Sequence, residues 1–360
     1  MKFDKWLFID VIFLMFFGLL MIYSSSSIWS EYKFGNSFHY CIYQGSFIII
    51  GIILIIILSK INVNLYYQNA TKLLIISIIL LILVLIPGIG IVRNGSRSWF
   101  GIGGFGIQPS EFAKLALIIF VSKYLERSNK FLKSYKNGVF PILGILLIIF
   151  GLIMLEPDFG TGMILVVSII ALLFVAGVNI KFFIGLGLVG IVGIIVLIII
   201  APYRMDRITS FLNPWSDPLG TGFQIIQSLY SIGPGGLLGM GLFNSRQKHF
   251  YLPEPQTDFI FSIISEELGI LGIIIVITLF IILLYRSVQI AIKSEDKFKK
   301  YLSFGLTFQM LIQTILNLSV VIGLIPVTGV TLPFLSYGGS SLLISSISIG
   351  IILSISKDIG

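Results

Sequence analysis

The sequence predicts an all-α polytopic membrane protein, and three observations support this fold class. Hydrophobic residues make up 56% of the 360-residue chain, charged residues make up only 11%, and the mean hydropathy is +1.04. Apolar runs recur from one end of the chain to the other, and most are about 17–25 residues long, enough to cross the hydrocarbon core as a helix. This composition excludes a water-soluble globular protein.

We expect ten transmembrane helices, at about residues 6–26, 40–59, 71–87, 109–125, 139–155, 161–177, 182–201, 258–285, 301–325 and 340–356. Lys2 and Lys5 precede the first run, which has no small-residue cleavage site, so we interpret it as an uncleaved span. An even number of crossings puts both termini on the same side of the membrane. No linker, low-complexity tract or internal repeat divides the chain, which predicts a single membrane domain over residues 1–360.

The basic residues give the orientation. If both termini are cytoplasmic, most of the 24 Lys and Arg residues lie in inner segments, as the positive-inside rule requires. The outer segments then hold Lys33, Arg93, Arg97, Arg204, Arg207, Arg246 and Lys248. The net charge of +8 is not gathered in one patch with interleaved aromatic residues, so we expect no nucleic-acid partner. The single cysteine, Cys41, excludes an internal disulfide.

The long outer segment at about residues 202–257, between the seventh and eighth spans, has the most varied sequence. It mixes Pro, Gly, Trp and Tyr with paired charges, and a loop of this length is usually functional rather than a simple connector.

Ionisable groups within spans or at their ends are costly unless they are paired or face a polar cavity. They are Asp10, Glu111, Lys114, Glu156, Asp158, Asp258, Glu266 and Glu267. Glu111 and Lys114 are three residues apart on one helix face, which indicates either a self-neutralising ion pair or the lining of an outward-facing cavity. Asp158, in the EPDFGTG turn, either caps the next helix or lies at the mouth of that cavity.

Asp258 follows two prolines at the entrance to the eighth span. It is either an ordinary acid at a helix N-terminus or a general base whose pKa is raised by the apolar residues Phe259, Ile260 and Phe261. The residues around Asp258 favour neither interpretation.

The string GIGGFG at residues 101–106 matches a dinucleotide-binding pattern, but we expect no preceding strand and no βαβ unit, so nucleotide binding is not expected. Arg93 and Arg97, in the neighbouring RNGSRSWF, lie on the outer side against the positive-inside bias. Arginine binds phosphate groups bidentately, so these two residues are candidate phosphate ligands.

Several strings together resemble the SEDS family of bacterial envelope polymerases. They are NGSRSWFGIG, IQPSEFAKLA, EPDFGTG, APYRMDRITSFLNPWSDPLGTGFQIIQSLYSIGPGGLLGMGL, SRQKHFYLPEPQTDFIFSIISEELG and NLSVVIGLIPVTGVTLPFLSYGGSS. NPWSDPLG and SRQKHFYLPEPQTDFIF resemble the FtsW/SpoVE branch more than the RodA branch. The resemblance covers nearly the whole chain, with its motifs in order.

The resemblance implies a membrane glycosyltransferase that polymerises lipid II into peptidoglycan strands on the outer face of the cytoplasmic membrane, at the septum in division or sporulation. It implies that Asp258 of the TDF motif is the essential aspartate, and that Glu111, Lys114 and Asp158 occupy the other family motifs. Glu156 stands where many relatives have Gln. The implied partners are a class B penicillin-binding protein acting as transpeptidase and other division proteins.

The implied reaction inverts the anomeric centre of lipid II and releases undecaprenyl diphosphate. It needs a base for the acceptor hydroxyl, for which Asp258 is the candidate, and positive groups for the diphosphate. The candidates for the second role are Arg93, Arg97, Lys114, Arg204, Arg207, Arg246 and Lys248. A divalent cation such as Mg²⁺ could share this role, although no carboxylate cluster with clear ligand spacing indicates one.

Two other function classes stay open at this point. Ten spans with intramembrane charges also describe a lipid II flippase, although its polar residues should extend through the full membrane depth. A non-catalytic scaffold for division enzymes would not explain the acids and bases at the outer ends of the spans. Gln309, Gln313 and Asn317 form a polar row on the ninth span, which either receives the membrane helix of the transpeptidase or faces the protein's own cavity.

Overall fold

The computed structural model describes residues 3–93, 95–102, 105–127, 135–200 and 202–359. Within these ranges the α-helices are α1 (Lys5–Phe34), α2 (His39–Leu58), α3 (Asn64–Leu85), α4 (Pro109–Arg127), α5 (Tyr135–Gly138), α6 (Phe140–Leu155), α7 (Phe159–Val175), α8 (Ile180–Ile200), α9 (Pro202–Leu212), α10 (Phe223–Ile232), α11 (Ile260–Lys293), α12 (Lys297–Val321) and α13 (Gly339–Ser356). A 3₁₀ turn, Pro214–Ser216, lies between α9 and α10.

Each of the ten predicted spans corresponds to one of these helices. Among the described residues, α1, α2, α3, α11, α12 and α13 are long and apolar enough to cross a membrane. Shorter apolar helices are α6, α7 and the Ile180–Gly193 part of α8. The prediction of a multi-pass α-helical membrane protein is therefore confirmed.

Several helix boundaries differ from the predicted ones because polar residues extend the helices beyond the apolar runs. The first helix continues to Phe34, and it ends at Gly35, whose left-handed φ of 65° lets its N–H bond Glu31 O at 2.9 Å. The ninth span begins at Lys297 because Asp296 caps α12, its carboxylate accepting from Lys299 N at 3.1 Å. Hydropathy detects the membrane-buried part of a helix and misses such polar ends.

The two chain ends lie at the same end of the bundle, as an even number of spans requires. Asp4 N donates to Ser356 Oγ at 3.1 Å, and Arg286 at the far end of α11 bonds the Asp4 carboxylate at 2.5 Å. At the opposite end, Gln108 N donates to Ser340 Oγ at 3.0 Å, which joins the start of α4 to the start of α13. We call this second end the outer end, following the predicted orientation.

A three-stranded antiparallel sheet lies at the outer end between α3 and α4. Its strands are β1 (Ile91–Arg93), β2 (Ser96–Ile102) and β3 (Phe105–Ile107), in the order β1-β2-β3. The expectation that no strand precedes GIGGFG is therefore wrong, because Gly101 is within β2 and pairs with Gly106 of β3. The motif forms an antiparallel hairpin rather than the parallel βαβ unit of a dinucleotide site, so the functional conclusion is unchanged.

The helix α11 is broken at Gly269, whose φ of 61° and ψ of −151° are not helical. The loop between α10 and α11 fills this break with its backbone. Met240 N and Gly241 N donate to Glu266 O and Glu267 O at 2.9 and 3.0 Å, and Ile270 N donates to Gly236 O at 3.0 Å. The inserted loop satisfies the groups that the break frees, as a membrane interior requires.

Two buried glutamates hold this loop in place. Glu266 accepts from Arg246 N at 2.9 Å, and Glu267 accepts from Ser24 Oγ of α1 at 2.6 and 2.7 Å. Lys248 Nζ lies 3.4 Å from Glu267 Oε1, and its side chain is only 5% exposed. Glu266 and Glu267 are thus structural acids that join α1, α11 and the long outer segment.

Replacing Gly269 with alanine should destabilise the protein. An added Cβ would lie 2.5 Å from Gly239 N, and an alanine is strained at this φ, so we expect the free energy of unfolding to fall by about 1–3 kcal/mol or more. Thermal unfolding of the detergent-solubilised protein measures the effect. Gly144→Ala in α6, where an added Cβ meets nothing within 4 Å, is the control and should be neutral or stabilising. Equal midpoints for the two variants would contradict the proposed strain.

Candidate active site

Asp258 lies at the outer end, two residues before α11 begins. The N-cap of α11 is Phe259, which makes no side-chain capping bond, so the structure excludes the interpretation of Asp258 as the helix cap. Its side chain is half-buried, and an added Cβ at Gly329 would lie 3.8 Å from Asp258 Oδ2. The Asp258 carboxylate is therefore not used by the helix and borders a glycine of another segment.

The segment at residues 322–338, between α12 and α13, forms much of the site and is irregular, although Val330, Leu332, Phe334, Leu335 and Ser336 in it are buried. Amide side chains of neighbouring helices satisfy its backbone. Gln44 of α2 donates to Ser336 O at 3.2 Å and accepts from Gly338 N at 3.3 Å. Gln313 of α12 donates to Thr331 O at 3.0 Å. We call this stretch the α12–α13 segment.

Burial is the main cause that raises the pKa of Asp258 to about 6. The negative charges of Glu254 and Asp158 also act to raise this pKa, and the positive charge of Arg207 lowers it. Arg207 is held in α9 with its Nη1 donating to Val327 O of the α12–α13 segment at 3.0 Å. Asp258 thus lies within electrostatic reach of charged groups from other elements of the outer end.

Glu111 and Lys114 form the predicted ion pair, with Lys114 Nζ at 2.8 Å from Glu111 Oε1. Both side chains are buried, at 7% and 1% exposure respectively. Lys114 Nζ also lies 3.4 Å from Gln313 Oε1, which joins the pair to the amide that holds Thr331. The pair is therefore built into the same network as the α12–α13 segment.

Asp158 caps the next helix, which is the first of the two roles that the sequence left open. Its Oδ1 accepts from Thr161 N at 3.0 Å and caps α7, and its Oδ2 accepts from Gln108 Nε2 at 2.8 Å. Burial raises the pKa of Asp158, and the capping bonds and the Lys114 charge lower it. Asp158 is thus a cap that also contributes negative charge near Lys114 and Asp258.

Glu156 is fully buried at the end of α6, and both of its carboxylate oxygens lack a hydrogen-bond partner among the described residues. Burial, with a smaller contribution from the neighbouring Asp158 charge, raises the pKa of Glu156 to about 9. Glu156 is therefore protonated and neutral at neutral pH. Its backbone carbonyl accepts hydrogen bonds from Ser96 and Ser98 of β2, which places the sheet against this corner.

The predicted basic residues separate into groups. Lys114 lies close enough to Asp158 to lower its pKa, and Arg207 lies close enough to Asp258 to do the same. Lys248 is paired with Glu267, and Arg246 is exposed in the loop that Glu266 holds. Arg97 alternates along β2 with Ser96 and Ser98, so it lies on the opposite face of the strand from the Glu156 carbonyl. The side chains of Arg93 and Arg204 lie outside the described part of the chain.

The polar row of α12 faces the interior of the protein. Gln309, Gln313 and Asn317 are 4%, 2% and 1% exposed, and Asn317 donates to Val330 O at 2.7 Å. The hypothesis that this row receives the transpeptidase helix is therefore wrong, and the alternative of an inward-facing row is confirmed. Residue spacing shows which side chains share a face and does not show which way that face points.

The chain is similar to known proteins over nearly its whole length. A model of the FtsW/RodA/SpoVE cell cycle proteins matches residues 5–359. The chain belongs to this family. It is 50% identical over 354 residues to stage V sporulation protein E of Bacillus subtilis (strain 168), a match covering 98% of this chain and 97% of the relative. It is 41% identical to the probable peptidoglycan glycosyltransferase FtsW of Trichlorobacter lovleyi, and this match covers 99% of this chain and 93% of the relative.

A solved structure described as "Structural coordination of polymerization and crosslinking by a peptidoglycan synthase complex" superposes on the chain with a TM-score of 0.83. Its sequence is 29% identical, and the match covers 99% of this chain and 98% of that one. The Asp258 site therefore lies in a chain whose fold matches that solved structure over nearly its whole length. Gln44, Gln108 and Glu254 were not predicted from the sequence, because a lone amide or surface acid has no distinctive pattern.

Removing Glu111 alone should harm this member of the family more than removing Glu111 and Lys114 together. The single variant Glu111→Ala leaves the buried Lys114 ammonium unpaired, which costs about 3–5 kcal/mol. We expect a lower thermal unfolding midpoint for Glu111→Ala than for Glu111→Ala with Lys114→Ala. A double variant that folds but is inactive would indicate a second role for Lys114, and equal midpoints would contradict the unpaired-charge argument.

Proposed function

We propose that this peptidoglycan glycosyltransferase polymerises lipid II at the outer face of the membrane, with Asp258 as the general base. The observation that carries this proposal is the state of Asp258. Its carboxylate does not cap the helix beside it, it is half-buried, and its pKa of about 6 lies close to the pH at which it would act. A general base is most effective when its pKa is near the working pH.

The reaction follows from the chemistry of lipid II. The acceptor hydroxyl oxygen attacks the anomeric carbon of the donor sugar from the face opposite the diphosphate. The bond from that carbon to the diphosphate oxygen breaks, and undecaprenyl diphosphate leaves with the electron pair. Asp258 accepts the proton that the acceptor hydroxyl loses, so one displacement converts the α-linked donor into a β-linked product.

Positive charge on the leaving side stabilises the departing diphosphate. Arg207 is exposed on α9 and its charge lowers the pKa of Asp258, so we assign the principal diphosphate contact to it. Arg93, Arg97, Arg204 and Arg246 remain further candidates. Lys114 is paired with Glu111 at 2.8 Å and Lys248 with Glu267 at 3.4 Å, and both are buried, which makes them the weakest candidates of the predicted set.

A divalent cation stays a possible partner of the diphosphate. Within the described ranges, no three His, Cys, Asp or Glu side chains gather closely enough to hold a metal ion. We assign no step to one.

The distribution of charge supports catalysis over transport of lipid II. Most of the buried acidic and basic side chains among the described residues lie toward the outer end, at Glu111, Lys114, Glu156, Lys248, Glu266 and Glu267, and Asp10 of α1 is buried toward the inner end. A transport path needs polar groups through the full depth. A scaffold role would leave this arrangement unexplained. We further propose a class B penicillin-binding protein as transpeptidase partner, with other division proteins, and a septal location with cytoplasmic termini. The match to a chain of a peptidoglycan synthase complex supports the first of these.

Asp258→Asn should abolish polymerisation of labelled lipid II. The amide keeps the shape of the carboxylate but accepts no proton, and a neutral group is easier to bury than a charge, so the variant should be at least as stable as the wild type. Gel analysis of glycan strands measures activity, and thermal unfolding measures stability. Normal polymer from folded Asp258→Asn would remove Asp258 from the base role.

Polymerisation should also depend on pH in a defined direction. Asp258 acts as a base only when it is ionised, so the turnover rate should fall as the pH decreases through about 6. The rate of lipid II polymerisation at saturating substrate, measured from about pH 5 to about pH 8, tests this expectation. A rate that stays level down to about pH 5, roughly one unit below the Asp258 pKa, would contradict the assignment.

A further inference from the structure

Asn317 is an amide on α12 whose two N–H groups bond two backbone carbonyls from different segments. Its Nδ2 donates to Asp258 O at 2.8 Å and to Val330 O at 2.7 Å. Because both partners are carbonyl oxygens, the amide orientation is fixed: the NH₂ group must face them. Asn317 is only 1% exposed, and its Oδ1 has no hydrogen-bond partner among the described residues.

These two bonds hold two backbone segments that meet at the Asp258 carboxylate. The first is the backbone of Asp258 itself, just before α11 begins. The first turn of α11 closes on Phe259, where Ser262 N donates to Phe259 O at 2.9 Å, so the Asp258 carbonyl takes its bond from α12. The second is the backbone at Val330, next to Gly329, which borders Asp258 Oδ2.

We propose that Asn317 is a positioning residue for Asp258, holding the base and the Gly329–Val330 stretch at a fixed separation. This inference rests on the proposed function and extends it to a residue that does not touch substrate. A hydroxyl must lie within hydrogen-bond reach of the base at the moment of attack, and small displacements of a catalytic group reduce the rate greatly. Asn317 therefore acts on turnover rather than on substrate affinity.

The central variant is Asn317→Leu, which has a similar volume and no donor. Gln309→Leu is the matched control, because Gln309 lies two turns earlier on the same buried face of α12 and has no part in the site. We expect Asn317→Leu to lower kcat for lipid II about tenfold to a hundredfold. The KM should stay within about twofold, and Gln309→Leu should retain both constants. Asn317→Gln, which retains both N–H groups, should recover part of the lost kcat.

A second measurement does not depend on polymerisation. Dicyclohexylcarbodiimide reacts with protonated carboxyl groups, and mass spectrometry of the Asp258 peptide measures the extent of labelling. Loss of the Asn317 bonds should release Asp258 toward water, lower its pKa toward the ordinary value of 3.8, and so reduce labelling at about pH 6, close to its pKa in the folded protein. Glu254, Asp158 and Arg207, the charged groups that face Asp258, are unchanged in both variants. Gln309→Leu, which keeps both Asn317 bonds, should label Asp258 as the wild type does.

The outcomes separate the two proposals. Folded Asn317→Leu with wild-type kcat and wild-type labelling would overturn the positioning role. Wild-type protein that makes no polymer under any condition would overturn the proposed function, and the labelling comparison would still decide the role of Asn317. If Asn317→Leu does not give a monodisperse protein, Asn317→Ala, which leaves room for water at both carbonyls, replaces it with the same expected results.

Discussion

The site depends on one constraint: a backbone that is buried in a membrane protein without helical hydrogen bonds must find other partners. The α12–α13 segment is such a backbone. Gln44, Gln313 and Asn317, from two helices, supply those partners at Ser336, Gly338, Thr331 and Val330. Because these amides are rigidly held in helices, the segment they bind is placed reproducibly. Asp258 is positioned against that segment.

The same constraint operates at the break in α11. The loop at residues 234–241 supplies N–H and carbonyl groups to the helix on both sides of Gly269, and Glu266 and Glu267 bond the continuation of that loop. The short outer part of α11 is thus fixed at both of its ends, by this loop after Glu267 and by Asn317 before Phe259. A helix start held at two points can present a carboxylate in a constant direction without using it as a cap.

The sequence was sufficient for the membrane architecture, because each span has an apolar run long enough to detect. Because charge near a span is rare and costly, the sequence also yielded a set of eight candidate residues, from which the family resemblance singled out Asp258, Glu111, Lys114 and Asp158. The sheet at residues 91–107 was missed because two of its strands have three residues each, too short for a periodic pattern. The amide contacts were missed because Gln44 and Ser336 are 292 residues apart in the chain. The partner of Lys248 was missed although Glu267 is only 19 residues away, because the inserted loop at the break in α11 brings the two together and no local pattern predicts that loop.

The acidic residues near the outer end differ in their partners and in their protonation. Glu111 is neutralised by Lys114, and Glu267 is bonded by Ser24 and Lys248. Glu156, with a pKa of about 9, is neutral at the pH where Asp258, with a pKa of about 6, is largely ionised. Environments that separate the pKa values of nearby acids in this way assign different roles to them. Asp258 combines an ionised state with a carboxylate that its own helix does not use, and this combination is what the proposed role of general base requires.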